Sequence, residues 1–218
     1  MAGWLTKQRA VLIWSTITAL LWTTWTGLRV TIGGTCPSPG PQLQENFDRD
    51  RYLGRWHEMF RHYDVPYEIG DCATATYTEI PLNQFKIENV EYLLDEDQWA
   101  RGDDFPEGRG KVSSFRSGLV NVKFFELAPW ANYKVLSTDY DTYSIVYNCD
   151  DLVGGMVKIQ YLWVLTRDPL LIDSTEWTDM RDQVFQIIND KVGEYIDPTT
   201  DLRPTQQTTG AGCVYKPL

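Results

Sequence analysis

Between residues 54 and 166 the chain is a series of short stretches that alternate apolar and polar residues, broken by turn formers, with no helical periodicity. A period of two marks half-buried strands. On this reading strands cover residues 54–61, 73–79, 84–93, 109–116, 120–127, 133–138, 142–148 and 157–166. The 73–79 stretch is rich in threonine, whose branched β-carbon suits a pleated surface. Ser117 with Gly118, and Gly154 with Gly155, fit tight turns, and residues 95–108 form an acidic, glycine-containing loop. Eight antiparallel strands joined mostly by hairpins are the number that closes into an up-and-down barrel with room for one small ligand. A β-sandwich of similar strand count is the competing architecture.

One segment after the last strand reads as a helix. Asp173 or Ser174 can cap it, Glu176 and Asp179 place negative charge near its positive end, and Gly193 would help end it. Trp177, Met180, Val184, Ile187 and Ile188 recur on one face, so the stripe should pack on the outside of the barrel. The expected fold is all-β: an eight-stranded antiparallel up-and-down barrel with one C-terminal helix outside it. Barrel and helix together span residues 46–196. Residues 35–45 form a proline-rich extended arm, and residues 197–218 a polar tail carrying Cys213.

Residues 1–34 read as a secretory signal peptide. Lys7 and Arg9 precede an apolar run over 10–22, which is too short and too rich in Ser and Thr to favour a membrane span. The cut falls near Gly27 or near Gly33 and Gly34. An uncleaved anchor is the alternative. The whole chain carries a net charge of −10, and the leader holds Lys7, Arg9 and Arg29 without an acid, so the body is more acidic still. Such a body repels phosphate backbones and anionic headgroups. Nucleic acid is therefore excluded as a partner, and weak or no membrane association is expected.

Four cysteines, Cys36, Cys72, Cys149 and Cys213, behind a leader point to two disulfides in an oxidising compartment, and spacing alone leaves all three pairings open. None has the close spacing of a zinc knuckle. His57 and His62 are the only histidines, and their spacing in or just beyond the first strand does not converge, so no metal site is expected. No phosphate loop, Gly-x-Ser-x-Gly or glycosylation sequon occurs.

Three ordered motifs then carry a resemblance. Asn46, Phe47, Asp48, Tyr52, Gly54 and Trp56 form an opening motif with a Gly-x-Trp core. Thr138, Asp139 and Tyr140 precede the seventh strand, and Arg167 closes the stretch from Trp163. In these motifs the chain resembles the lipocalin family, most closely its apolipoprotein D branch. The resemblance covers about residues 36–192 and the last cysteine. It implies that Trp56 fills the closed end of the barrel under Arg167, a cation–π arrangement, with Gly54 allowing close backbone approach. These motif residues would be structural. It also implies disulfides Cys36–Cys149 and Cys72–Cys213.

For the ligand, the resemblance places Tyr77 and Asn89 in the cavity wall. Alternation adds Tyr161 and Leu165 beside an inward Trp163, with Leu162 and Val164 facing the helix. Tyr143, Ile145 and Tyr147 share one face of the seventh strand, and the two tyrosines join the candidate lining. Aromatic walls with a few polar groups suit an apolar ligand with one polar end, although such rings can equally fill a solid core. Leu93 stands where the related carrier has a basic residue, which speaks against a carboxylate anchor. The expected function is extracellular binding and transport of a lipid, sterol, retinoid, carotenoid or bilin by a secreted protein that is not an enzyme. No cofactor is expected beyond a bound lipophile or pigment, and a cell-surface receptor is a further partner. The alternatives are a thiol-dependent isomerase of the same family and a tethered or receptor-binding form with a vestigial cavity.

Overall fold

The computed structural model describes residues 31–32, 35–63, 65–100, 107–152, 155–170, 174–208, 210 and 212–217. The signal-peptide segment, apart from 31–32, and Asp173 and Gly154 lie outside the described residues. In chain order the elements are β1 (Thr31–Ile32), α1 (Arg49–Tyr52), β2 (Gly54–His62), β3 (Asp71–Ile80), β4 (Gln84–Leu93), β5 (Gln98–Trp99), β6 (Glu107–Val112) and β7 (Leu119–Lys123). They continue with β8 (Ala131–Thr138), β9 (Tyr143–Leu152), β10 (Val157–Thr166), α2 (Thr175–Val192) and β11 (Leu202–Pro204). Strands β2, β3, β4, β6, β7, β8, β9 and β10 pair antiparallel in that order, and β10 pairs back onto β2, closing the barrel. Closure leaves no free edge among these eight. The short strands β1, β5 and β11 add to β10, β4 and β2.

Two strands are shorter than their pattern suggests. Residues 113–118 turn instead of extending β6, because the Ser113 hydroxyl accepts hydrogen bonds from the Phe115 and Arg116 amides at 3.2 Å. Beyond β7 the chain turns at Phe125, whose carbonyl accepts from the Ala128 amide at 3.0 Å, and Phe125 and Leu127 stand exposed on that loop. Gly118 takes a left-handed φ of 71° where a β-carbon would lie 2.8 Å from the Gln44 nitrogen, so glycine is required where the arm crosses the turn.

Most buried apolar residues fall in two cores on opposite faces of the wall, and a smaller cluster of Cys72, Tyr92 and Cys213 stands apart from both. Outside, Phe60, Leu136, Ile145, Leu162 and Val164 meet Trp177, Val184, Ile188 and Val192 of α2. Each of these large side chains, fully buried, contributes roughly 1.5–3 kcal/mol. Ser174 caps α2, its hydroxyl accepting from the Trp177 amide at 3.1 Å. Gly193 follows the helix in a right-handed conformation, φ −60°, so it acts there by its lack of a side chain rather than by a left-handed turn. Inside, Tyr52, Trp56, Tyr77, Phe85, Ile87, Val120, Val135, Val146 and Leu165 pack together.

The tail is more than a tethered end. β2 pairs with β3 only from Gly54 to His57. Beyond that the two strands part, and β11 pairs with β2 opposite Phe60, Arg61 and His62. The Thr205 amide then donates to the Met59 carbonyl at 3.0 Å, and the Cys72 amide donates to Gln206 at 2.7 Å. The buried Gln207 amide bridges the carbonyls of Glu58 and Ala73, both at 2.7 Å. Residues 202–207 thus complete the wall between β2 and β3. Disulfides join Cys36 to Cys149 and Cys72 to Cys213, so no cysteine is free.

Candidate ligand chamber

The barrel is sealed at the end where β2 begins. Trp56 is fully buried, and the Arg167 guanidinium carbon lies 3.8 Å from its ring centroid. Arg167 also donates to the carbonyls of Arg51 (2.7 Å), Tyr140 (2.9 Å) and Arg55 (3.0 Å), tying three segments across the plug. Gly54 has φ 97°, and a β-carbon there would come within 3.3 Å of Arg167. Asp139 shapes the adjoining turn by accepting from the amides of Asp141, Thr142 and Tyr143. Burial would push its carboxyl upward, yet the Thr142 hydroxyl and these amides hold it below the usual range. Thr138 accepts from the Tyr140 amide, and the Tyr140 hydroxyl accepts from the Asp48 amide at 2.9 Å.

Above the indole, Tyr133 shares hydrogen bonds with Tyr52 (3.1 Å) and Tyr77 (2.8 Å), and Tyr52 with Ser144 (2.8 Å). Burial pushes the Tyr52 phenol up to about 12, so this floor is neutral. Higher still the lining changes. Glu58 pairs with Leu165 and Arg61 with Trp163 across the β2–β10 ladder, so both share the inward face of that wall. Between them Met59 is bulged, which is why residues three apart face the same way. Arg61 donates to Glu58 at 2.8 Å and to the Gly70 carbonyl at 2.7 Å. Glu91 accepts from the amides of Ile69 (2.9 Å) and Gly70 (2.7 Å), and Glu68 accepts from the Trp163 indole at 2.8 Å. The β2–β3 loop is thereby clamped to β2, β4 and β10. Burial, reinforced by the Glu58 charge, pushes the Glu68 carboxyl well above its usual range, and burial also raises Glu58 and Glu91.

The sequence matches the Lipocalin-like domain family over residues 47–187. It is 36% identical to rat apolipoprotein D over 143 residues, which cover 65% of this chain and 71% of that one. The chain is a lipocalin. The bilin-binding protein of Pieris brassicae is 28% identical over 141 residues, covering 63% of this chain and 70% of that one. The fold is shared with insecticyanin from the tobacco hornworm Manduca sexta, with a TM-score of 0.64 and 20% identity over 82% of this chain and 89% of that one.

In this lipocalin Tyr77 is inward but forms part of the hydrogen-bonded floor. Asn89 lies opposite Ala75, which packs against the inner core, and it is exposed although its strand neighbours Phe85 and Ile87 are buried inside. Trp163 is half-buried and packs on the inner core, and the Tyr161 ring contacts it at 5.8 Å between centroids. Tyr143 and Tyr147 require correction. They do share a face, but it is the outer one: both belong to the core under α2, with Ile145. Their inward neighbours are Ser144, which bonds Tyr52, and Val146, which packs in the inner core. Alternation fixes which residues share a face but not which face is inside, and here Ile145 and Tyr147 cover the helix side. The inward acids and Arg61 were not anticipated. Glu58 lies two residues beyond Trp56, and Glu91 two beyond Asn89, so strict alternation carried on from those residues is the signal that could have found them. The Met59 bulge hid Arg61, and no pattern places Glu68, which sits on a loop. Among the described residues no group of acids, histidines or cysteines is arranged to hold a metal.

Proposed function

We propose that this lipocalin binds a small, mostly hydrophobic molecule in the upper half of its barrel and carries it outside the cell without altering it. The observation that carries this reading is the contrast along the barrel interior. Below, Tyr52, Trp56, Tyr77 and Ser144 are buried in the plug and floor; above them Asn89 is exposed, and Ala75 and Trp163 are half-buried on inward positions. Solvent-accessible apolar surface inside a closed wall is what a lipophile removes from water, at roughly 25 cal/mol per Å² before the costs of association. Two disulfides and the leader read from residues 1–34 support an extracellular setting. Lipid, sterol, retinoid, carotenoid and bilin ligands all fit the class, the last echoing the name of the Pieris relative. The isomerase alternative needs a free thiolate, and all four cysteines are bonded. A cell-surface receptor remains part of the proposal. No described helix is long and apolar enough to cross a membrane.

The test is titration with the neutral fluorescent reporter N-phenyl-1-naphthylamine, together with native mass spectrometry and an absorbance scan of protein from its natural source. One reporter per chain should bind, and Ala75→Trp, which fills the chamber above the floor, should abolish binding while the protein stays folded by circular dichroism. Binding unchanged in Ala75→Trp would place the ligand elsewhere, and no binding by the folded wild type would remove the carrier reading.

A further inference from the structure

Four hydroxyls form one chain at the chamber floor: Ser144 to Tyr52 (2.8 Å), Tyr52 to Tyr133 (3.1 Å) and Tyr133 to Tyr77 (2.8 Å). Burial holds the three phenols above their ordinary range, so each keeps its proton. A hydroxyl carries one proton and two lone pairs. The chain therefore has one proton more than it has contacts, and burial decides which proton is left over. Ser144, Tyr52 and Tyr77 are buried, where an unpaired O–H goes unsatisfied. Among the described residues the Ser144 hydroxyl has Tyr52 as its one partner, and the Tyr77 hydroxyl has Tyr133. Ser144 must then donate to Tyr52, and Tyr77 to Tyr133. Tyr52, already accepting from Ser144, passes its own proton to Tyr133. Tyr133 thus receives two hydrogen bonds, and its own proton has no partner in the chain. It is also the half-buried member of the four, and it faces inward, opposite the buried Val120 of β7. With both lone pairs filled from the floor, the Tyr133 O–H points up into the chamber.

Resting on the carrier reading above, we propose that the Tyr133 hydroxyl is the polar anchor of the chamber, donating to a neutral lipophile that enters with a carbonyl oxygen first. Tyr133 can donate but not accept, and a carbonyl is its complement, an acceptor with no proton of its own. A hydrocarbon tip leaves the donor unpaired. An ammonium brings only donors. A carboxylate accepts, but it must give up the hydration of its charge to reach a floor of neutral groups. The apolar body lies against Trp163 and Ala75, which are half-buried on inward positions. Asn89, exposed higher in the wall, both donates and accepts, so it does not discriminate among these groups. Tyr133 is therefore the specificity-determining residue.

The probes are the ketone 6-propionyl-2-(dimethylamino)naphthalene and its deoxo analogue 6-propyl-2-(dimethylamino)naphthalene, one apolar body with and without the carbonyl. Each is titrated by its own fluorescence at neutral pH, and the carbonyl stretch of the bound ketone is read by infrared difference spectroscopy. In the wild type that stretch should lie below its position in hexane, as a phenol donor lowers it. Tyr133→Phe removes the donor and keeps the ring. It should return the stretch to its hexane position and cut the affinity of the ketone relative to the analogue roughly five- to tenfold, the worth of one neutral hydrogen bond. Ser144→Ala removes a hydroxyl from the same chain without stranding a donor, since Tyr52 still donates to Tyr133. It should leave the stretch and the affinity ratio as in the wild type. A lowered stretch that survives Tyr133→Phe, or a ratio that Tyr133→Phe does not change, assigns the carbonyl to another donor and overturns the inference. A loss in Ser144→Ala equal to that in Tyr133→Phe makes floor packing the cause and overturns it as well. A wild type that binds the analogue but not the ketone, or that holds the ketone with a hexane-like stretch, overturns the inference with no variant needed and leaves the carrier reading standing. Failure of both probes and of N-phenyl-1-naphthylamine to bind the folded wild type sinks the carrier reading and takes this one with it.

Discussion

The two ends of the barrel solve the same problem, polar groups away from water, in different ways. At the closed end the groups are neutral hydroxyls, an indole and one guanidinium, and the guanidinium points its donors at three backbone carbonyls. At the open end they are carboxylates held by backbone amides, an indole and a single buried arginine. A hydroxyl that loses its partner costs little more than one hydrogen bond. A buried carboxylate that loses its counterion leaves a charge in a poor solvent. The closed end should thus be sensitive to lost volume, and the open end to lost charge balance.

The largest expected effects test that division. Trp56→Ala should remove about 3–5 kcal/mol of stability, the usual range for truncating a buried aromatic, and the loss should be the same at pH 5 and pH 8. Arg61→Leu should cost a similar amount, about 3–5 kcal/mol, near neutral pH, because it strands Glu58. Its loss should shrink as pH falls, since a protonated Glu58 needs no partner. The double change Glu58→Gln with Arg61→Leu should recover most of the stability. Urea denaturation at the two pH values separates these outcomes. A pH-independent loss in Arg61→Leu would mean the pair acts by packing, and the contrast between the ends would disappear.

A second, slightly smaller effect sets the chamber against the outer side of the same strand. His57 is buried beneath the tail, edge-on to the Tyr215 ring at 5.0 Å, and its Nδ1 has no partner. Burial lowers it to about 4. The folded protein therefore binds fewer protons than the unfolded chain between pH 6.5 and 4, and stability falls as pH drops through that window, by on the order of 3 kcal/mol. The chamber acids have the opposite sign. Their raised values mean the fold binds more protons than the unfolded chain, so they lower stability as pH rises from the ordinary carboxylate range through their folded values. His57→Phe should flatten the acid side of the stability profile, and Glu68→Gln the neutral side. If either variant flattens both sides, the two groups are not acting separately.

Much of this was legible in the sequence because it is local. The Gly-x-Trp opening, the Thr138–Asp139–Tyr140 turn and the terminal Arg167 are short patterns with one structural solution, and alternation set most strand limits to within two residues. What stayed hidden depends on distant chain. The tail reads as polar and loose, yet Thr205 and Gln207 are fully buried because β2 and β3 part and leave backbone groups that only an incoming segment can satisfy. Arg61 turns inward through a bulge that no residue in β2 announces. The ends of β6 and β7 were overrun because Phe115, Phe125 and Leu127 look like strand residues but lie on exposed turns.

The smallest effect decides between the two faces of β9. Tyr147 donates from its hydroxyl to Gln160 at 3.2 Å and packs with the residues under α2, away from the chamber. Tyr147→Phe removes one long hydrogen bond and no volume, so it should cost about 1 kcal/mol or less and leave reporter affinity unchanged. Trp163→Phe shortens a ring that faces the chamber and frees Glu68, so it should weaken reporter binding several-fold with a stability loss no larger than that of Trp56→Ala. Because Tyr147 and Trp163 sit on adjacent strands, one residue apart in register, the pair isolates facing from position. A drop in affinity in Tyr147→Phe equal to that in Trp163→Phe would mean that ligand reaches the helix side of the wall, and the division of the barrel into an outer core and an inner chamber would have to be redrawn.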